Sequence, residues 1–123
     1  MDGLDKDIED NALRLYREPA VGSSNSNSYG EENIQNLVNL YRGLDEKGML
    51  QITEMFADFS RSADLATSYI SVAVLHAIGM KEKVNAAYQW AQSQDEATSL
   101  ASHFDIGISL ADYYFSASPT DVS

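Results

Sequence analysis

The chain of 123 residues contains no cysteine. Disulfide bonds and thiolate metal sites are therefore excluded, and a reducing compartment suits the composition. Long apolar runs are missing as well, since no stretch approaches the roughly 20 residues that a membrane-spanning helix needs. The first residues, Met1–Asp5, carry acids where a secretory signal peptide needs basic and apolar regions. We therefore expect a cytoplasmic protein without membrane contact.

Basic residues are scarce. Eight Lys and Arg stand against 19 Asp and Glu, the net charge is −11, and residues 84–123 contain no Lys or Arg at all. Such a charge distribution repels nucleic-acid phosphates and attracts basic proteins at long range. The total charge is also typical of an ordinary soluble acidic protein. Its uneven distribution favours a basic protein partner and no direct binding of nucleic acid.

Motifs of catalytic and cofactor sites are missing too. His76 and His103 are the only histidines, and neither belongs to a metal-ligand spacing such as His-Glu-x-x-His. A Gly-x-Ser-x-Gly elbow, a P-loop and a dinucleotide fingerprint are all absent. We expect His76 in the core, His103 on the surface, no metal, no cofactor and no enzymatic activity.

The remaining composition favours a folded helical domain. Hydrophobic residues make up 44% of the chain, enough to offset the ordering entropy of folding. We predict an all-α fold, a compact bundle of about six helices that forms one domain over residues 1–123. The first predicted helix covers residues 3–17, and the second begins at a Ser28–Glu31 capping box and ends before Gly48. The next three cover residues 49–59, 64–78 and 81–94, and the last follows Asp95 and Glu96.

Two segments depart from the amphipathic pattern. Residues 64–78 are apolar around most of the helix circumference, which predicts a central helix with Asp64 as N-cap and Gly79 just beyond its end. Their β-branched residues also permit a strand, although the run exceeds the usual strand length. Residues 18–30 are rich in Ser, Asn and Gly and predict a flexible loop after the first helix.

The last helix carries the most regular polar pattern. Short side chains let another backbone approach, and two carboxylates on one helix side can face Lys or Arg of a partner. Tyr113 and Tyr114 flank this side and provide rigid contact area. A solvated face without a partner has the same pattern. The polar side, with spacings of 4, 3, 4, 3 and 4, consists of Thr98, Ser102, Asp105, Ser109, Asp112 and Ser116.

A second acidic feature lies on the third helix. Glu54 and Asp58 are like charges one turn apart, which weaken an isolated helix, although Arg61 can compensate. Combined with the acids of the C-terminal third, they predict a surface for a basic partner. The predicted partner-binding residues are Glu54, Asp58, Asp95, Glu96, Asp105, Asp112, Tyr113 and Tyr114.

The Asp112-Tyr113-Tyr114 sequence, with Pro119 beyond it, resembles the Tyr-Tyr pair on the acidic helices of colicin nuclease immunity proteins. In size, charge and helicity the whole chain is similar to small helical immunity proteins of bacterial contact-dependent growth inhibition and polymorphic-toxin systems. The rest of the colicin immunity pattern is absent, so no binding residue is carried over. The resemblance implies an inhibitor that covers the cleft of a basic toxin, of the nuclease kind.

Two other functions fit the same sequence. A helical adaptor or regulatory subunit would bind through apolar surface, namely the Met/Phe face of residues 49–59, with little dependence on salt. An acidic mimic of nucleic acid, inhibiting a defence nuclease, would share the charge of a toxin inhibitor. Composition does not separate these alternatives.

Overall fold

A computed structural model describes residues 6–95 and 97–116, apart from the side chains of Ser26, Ala97 and Ser116. All regular structure in these ranges is helical and no strand occurs there, which confirms the predicted all-α bundle. None of the helices in the described ranges is long and apolar enough to cross a membrane. The helices are α1 (Lys6–Arg17), α2 (Glu31–Arg42), α3 (Glu46–Phe59), α4 (Leu65–Ala77), α5 (Lys81–Gln92) and α6 (Ala97–Ala111), with a 3₁₀ turn at Asn25–Asn27 and a π-helical turn at Asp112–Ser116.

The helices alternate in direction along the chain. Gly30, just before α2, meets Ile70 in the first half of α4. At the other end of α2, the Arg42 guanidinium lies over the Phe115 ring that follows α6, 5.4 Å from its centre. Helices α2, α4 and α6 therefore run parallel to one another, and the short links between successive helices place α3 and α5 antiparallel to them.

Helix α4 forms the centre of the core. All eight residues from Ser68 to Leu75 are buried. Helices α2, α3, α5 and α6 pack around α4, and Tyr16 of α1 reaches it through a hydrogen bond with the Ser71 hydroxyl. The prediction of a central helix covered on several sides is confirmed, because an apolar circumference needs neighbours on every side.

Both predicted ends of α4 are confirmed. The Asp64 carboxylate accepts a hydrogen bond from the Thr67 backbone N–H at 3.0 Å, which satisfies one of the free donors of the first turn. Beyond the last turn, Gly79 has a φ of +83°, a left-handed conformation that glycine adopts without strain. The chain reverses there and enters α5.

The predicted capping box of α2 is wrong. The N-cap is Gly30, whose φ is +82° and which has no side chain to cap the helix, and Ser28 does not take that role. A Cβ at this position would also lie 3.1 Å from the Ile70 Cδ1 atom. The close approach of α4 and the left-handed backbone both select glycine. Glu31 instead accepts a hydrogen bond from the backbone N–H of Tyr29 at 2.7 Å.

Gly48 was predicted to lie between the second and third helices, but it lies in the first turn of α3. That helix begins at Glu46, and its N-cap, Asp45, accepts a hydrogen bond from the Gly48 N–H at 2.8 Å. A Cβ on Gly48 would lie 3.1 Å from the Ile8 Cδ1 atom of α1. The glycine is therefore explained by close helix packing and not by a chain reversal.

The segment 18–30, predicted to be a flexible loop, is attached to the domain through Asn27. The Asn27 side chain is fully buried, and its Nδ2 group donates to the Ala20 carbonyl at 3.1 Å and to Asn33 Oδ1 at 3.0 Å. Its Oδ1 atom accepts from the Glu32 N–H at 2.9 Å. Flexibility of this segment stays a prediction, and these bonds limit it to the exposed stretch between Ala20 and Asn27.

Candidate partner-binding surface

The structure describes seven of the eight predicted partner-binding residues, because Glu96 lies outside the described residues. All seven are exposed to solvent. They come from three places, namely α3, the link between α5 and α6, and α6 with its π-helical turn. These seven residues are Glu54, Asp58, Asp95, Asp105, Asp112, Tyr113 and Tyr114.

The predicted polar side of α6 faces solvent. Phe104, Gly107 and Ala111, on the opposite side, are buried. A Cβ on Gly107 would lie only 2.8 Å from the Tyr69 carbonyl oxygen of α4, so the two helices approach closely at this point. This contact fixes which side of α6 is presented to solvent. The exposed members of the polar side are Thr98, Ser102, Asp105, Ser109 and Asp112.

The Asp105 carboxylate is held in place by α5. The Tyr88 hydroxyl donates a hydrogen bond to Asp105 Oδ1 at 2.5 Å, and the Tyr88 ring packs edge-on against Phe104. Burial, followed by the hydrogen bond to Asp105 and the charge of that carboxylate, raises the pKa of Tyr88. The tyrosine therefore remains a neutral donor at physiological pH, and Asp105 remains an acceptor in a fixed position.

The two histidines occupy the rims of the α4–α6 contact. His76 lies at the edge of the core and not within it, with its side chain 34% exposed and its Nε2 atom 2.8 Å from Asp112 Oδ1. His103 is half-buried rather than on the surface. Its Nδ1 atom donates to the Ser99 carbonyl at 2.8 Å, and its ring centre lies 6.1 Å from that of Tyr69.

The acids of α3 and those of α6 lie on different flanks of α5. Glu54 pairs with Lys83 of α5 at 3.2 Å, and Asp58 pairs with Arg61 at 3.1 Å. Lys83 and Tyr88 point to opposite flanks of α5, about 140° apart around an axis with about 3.6 residues per turn. The structure therefore does not bring Glu54 and Asp58 together with the acids of α6.

A groove of about 570 Å³ runs along α6 beside its acids. We call it the α6 groove. Two of its side chains are exposed aromatic rings, since Tyr113 is 75% and Tyr29 is 55% exposed. The Tyr29 backbone is fixed at its carbonyl, which accepts from the Tyr69 hydroxyl at 2.9 Å. The lining residues are Tyr29, Asp105, Ile106, Ser109, Leu110 and Tyr113.

Sequence reasoning missed Tyr29 and Ile106. A signal for Ile106 exists, because it is an apolar residue placed directly beside the polar side of the last helix. Tyr29 gives no such signal, since it precedes α2 and reaches α6 only because α2, α4 and α6 lie side by side. Exposed aromatic residues around a groove are typical anchors for a protein partner.

The apolar face proposed for an adaptor is not on the surface. Ile52 and Phe56 are fully buried. Met49, Met55 and Phe59 are half-buried, Met55 against the core and Phe59 against the Tyr16 ring. The prediction that residues 49–59 present a Met/Phe binding face is therefore wrong. Burial is the ordinary outcome for such an apolar stripe, because it covers the neighbouring helices.

No group of three or more His, Asp or Glu side chains in the described ranges is arranged to hold a metal ion. The absence of catalysis stays a prediction. The arrangement on α6 is suited to noncovalent binding, because it combines fixed carboxylates with exposed aromatic rings. Comparison with known proteins gave no match to a family model, a curated protein or a solved structure.

Proposed function

We propose that this protein neutralises a basic bacterial toxin, of the nuclease kind, by covering its active-site cleft with the acidic side of α6. One observation carries the proposal. Exposed Asp105 lies in α6 beside the α6 groove, exposed Asp112 lies in the π-helical turn that continues α6, and residues 97–116 contain no Lys or Arg. Attraction for a basic surface and apolar anchoring area are thus combined at one place.

The carboxylates would act in encounter and the groove in retention. A net charge of −11 steers a basic partner and accelerates association, an effect that weakens as salt rises. A carboxylate accepts through both oxygens, so Asp105 can accept from a partner's Lys or Arg while Tyr88 still holds its Oδ1 atom. Tyr113 and Ile106 would then be covered, which removes apolar area from water.

The decisive experiment expresses the chain in bacteria together with basic nuclease domains of polymorphic toxins. Asp105→Asn with Asp112→Asn removes two charges while keeping side-chain shape. We expect slower association, by about tenfold at low salt, and loss of growth protection, with unchanged helicity by circular dichroism. Stopped-flow kinetics at two ionic strengths measures the association rate.

The chain offers a matched control. Glu54→Gln with Asp58→Asn changes the net charge by the same amount on the other flank of α5. Equal losses in both double variants would indicate net charge alone and no docking on α6. Full protection by the α6 variant would contradict the proposal outright.

An adaptor function remains as a second candidate because the α6 groove has apolar walls. Ile106→Ala or Tyr113→Ala would then abolish binding, and association would not depend on salt. A nucleic-acid mimic would show the salt dependence of a toxin inhibitor but would bind a defence nuclease. Binding assays with each class of nuclease distinguish the two.

A further inference from the structure

A second cavity, of about 290 Å³, lies at the opposite end of α6 from Tyr113. We call it the Trp90 cavity. It is formed where α5 ends and where α4 and α6 begin. Its walls are partly apolar and partly polar, and Asp95 is the only charged residue among the described residues that line it. The lining residues are Ser62, Ala63, Leu65, Trp90, Gln94, Asp95, Ser99 and Leu100.

Asp95 differs from the other described acids of the predicted surface. Asp105, Asp112, Glu54 and Asp58 each have a hydrogen-bonding or ionic partner within the chain. Among the described residues, no hydrogen bond or ion pair involves the Asp95 carboxylate. An exposed, unpaired carboxylate on the wall of a cavity is an available acceptor for a cation.

No cation of the described chain takes that place. Arg61, which precedes the cavity wall at Ser62, is directed elsewhere. Its Nη2 atom pairs with Asp58, and its Nε atom donates to the Ala57 carbonyl at 3.2 Å.

The surroundings of Asp95 also favour a positive ligand. Trp90 is half-buried, and the indole ring is the best aromatic partner for a cation. The C-terminal end of α5 contributes a partial negative charge. Two positive helix ends also lie here. That of α4 is matched by the Asp64 carboxylate, which accepts from Thr67, and that of α6 begins at Ala97, beside Asp95. The Leu65 and Leu100 side chains can pack against an aliphatic stem.

We infer that the Trp90 cavity binds a guanidinium group on an aliphatic stem, with Asp95 as its ion-pair partner and Trp90 as its aromatic wall. A planar guanidinium suits both contacts, because it pairs with carboxylates in a fork and stacks on aromatic rings. Such a group can come from an arginine side chain of a protein or from a free small guanidine. This inference does not depend on the proposed function.

Trp90 makes a direct test possible because it is the only tryptophan of the chain. Its fluorescence, excited selectively, is followed while the full-length protein is titrated with N-acetyl-arginine amide at constant ionic strength. We expect a saturable change in the millimolar range. N-acetyl-citrulline amide, which is neutral and nearly isosteric, should bind about tenfold more weakly because it forms no ion pair.

Variants identify the carboxylate. Asp95→Asn should weaken the binding of N-acetyl-arginine amide about tenfold, with unchanged circular dichroism. Asp10→Asn, a matched change at an exposed acid of α1 outside the cavity, should leave the titration unaltered. Butylguanidine distinguishes the two sources. Binding as tight as that of the arginine amide supports a free guanidine, and weaker binding supports an arginine within a peptide.

Three results would overturn the inference. The first is no saturable change in Trp90 fluorescence. The second is equal binding of the citrulline and arginine compounds, or an unaltered titration in Asp95→Asn. The third is tighter binding of inorganic phosphate, which would mean that the beginnings of α4 and α6 select an anion instead.

Discussion

The contact between α4 and α6 can be tested at Gly107, where the backbones approach most closely. Replacing this glycine with alanine in the interior of a free helix would stabilise it by about 1 kcal/mol through helix propensity. In the folded protein, however, the new Cβ would lie 2.8 Å from the Tyr69 carbonyl oxygen and 3.3 Å from the Ala73 Cβ. The first neighbour is backbone and cannot rotate away, so one helix must shift.

Overpacking of this kind costs about 1–3 kcal/mol. Since the propensity gain is about 1 kcal/mol, we expect Gly107→Ala to lower the free energy of unfolding by up to about 2 kcal/mol. Urea denaturation followed by circular dichroism measures the change as a lower midpoint with an unaltered slope. A shift of α6 would also displace Asp105 relative to Tyr88, so partner binding should weaken in the same variant.

Gly43 supplies the matched control. It ends α2 with a φ of −87°, and an added Cβ would meet only the Asn39 and Leu40 carbonyl oxygens at 3.6 and 3.7 Å. Gly43→Ala should therefore be neutral or stabilising by up to about 1 kcal/mol, because it reduces the freedom of the unfolded chain. If Gly107→Ala stabilised the protein as much as Gly43→Ala, α6 would not pack on α4 as described.

Two further perturbations test the core and the α1–α2 connection. Burial raises the pKa of Tyr16 from its ordinary value of 10.0, with the Ser71 hydrogen bond opposing, so the unfolded chain loses this proton before the folded chain does. The contribution of Tyr16 to stability is therefore full below pH 10 and is lost as pH rises above it. Tyr16→Phe should reduce the fall of the urea midpoint over this pH range. An unchanged fall would exclude Tyr16 as a cause. Asn27→Ala removes buried hydrogen bonds to Ala20, Asn33 and Glu32 and should cost about 2–3 kcal/mol in urea denaturation. It should also speed proteolysis within residues 18–30, whereas Asn25→Ala, at an exposed position, should do neither.

The helices, and the central position of one of them, could be predicted from the residue pattern. Apolar residues at helical spacing mark one side of each amphipathic helix, and this spacing depends only on the backbone period. Helix α4 could be recognised as central because its apolar circumference requires cover on all sides. The Asp64 N-cap and the turn at Gly79 could also be predicted, because each involves only residues within one turn of the end of α4.

The role of a glycine at a contact between helices could not be predicted in the same way. Gly48 was placed between the second and third helices, yet it lies in the first turn of α3, where Ile8 of α1 packs against it. Gly30 was assigned to a capping box, yet the Ile70 side chain of α4 packs so close to it that a Cβ has little room. A glycine in the sequence does not show whether it provides a turn or room for a neighbour, because the neighbour comes from elsewhere in the chain.

Which side chains share a surface depends on how the helices pack against one another. The helical period places Asp105 and Asp112 on one side of α6, but it contains nothing about Tyr29, which reaches the same groove from the start of α2. Likewise, Glu54 of α3 and Asp105 of α6 do not share a surface, because α5 lies between them. Periodicity fixes where a residue lies around its own helix axis, whereas the packing of helices fixes what lies opposite.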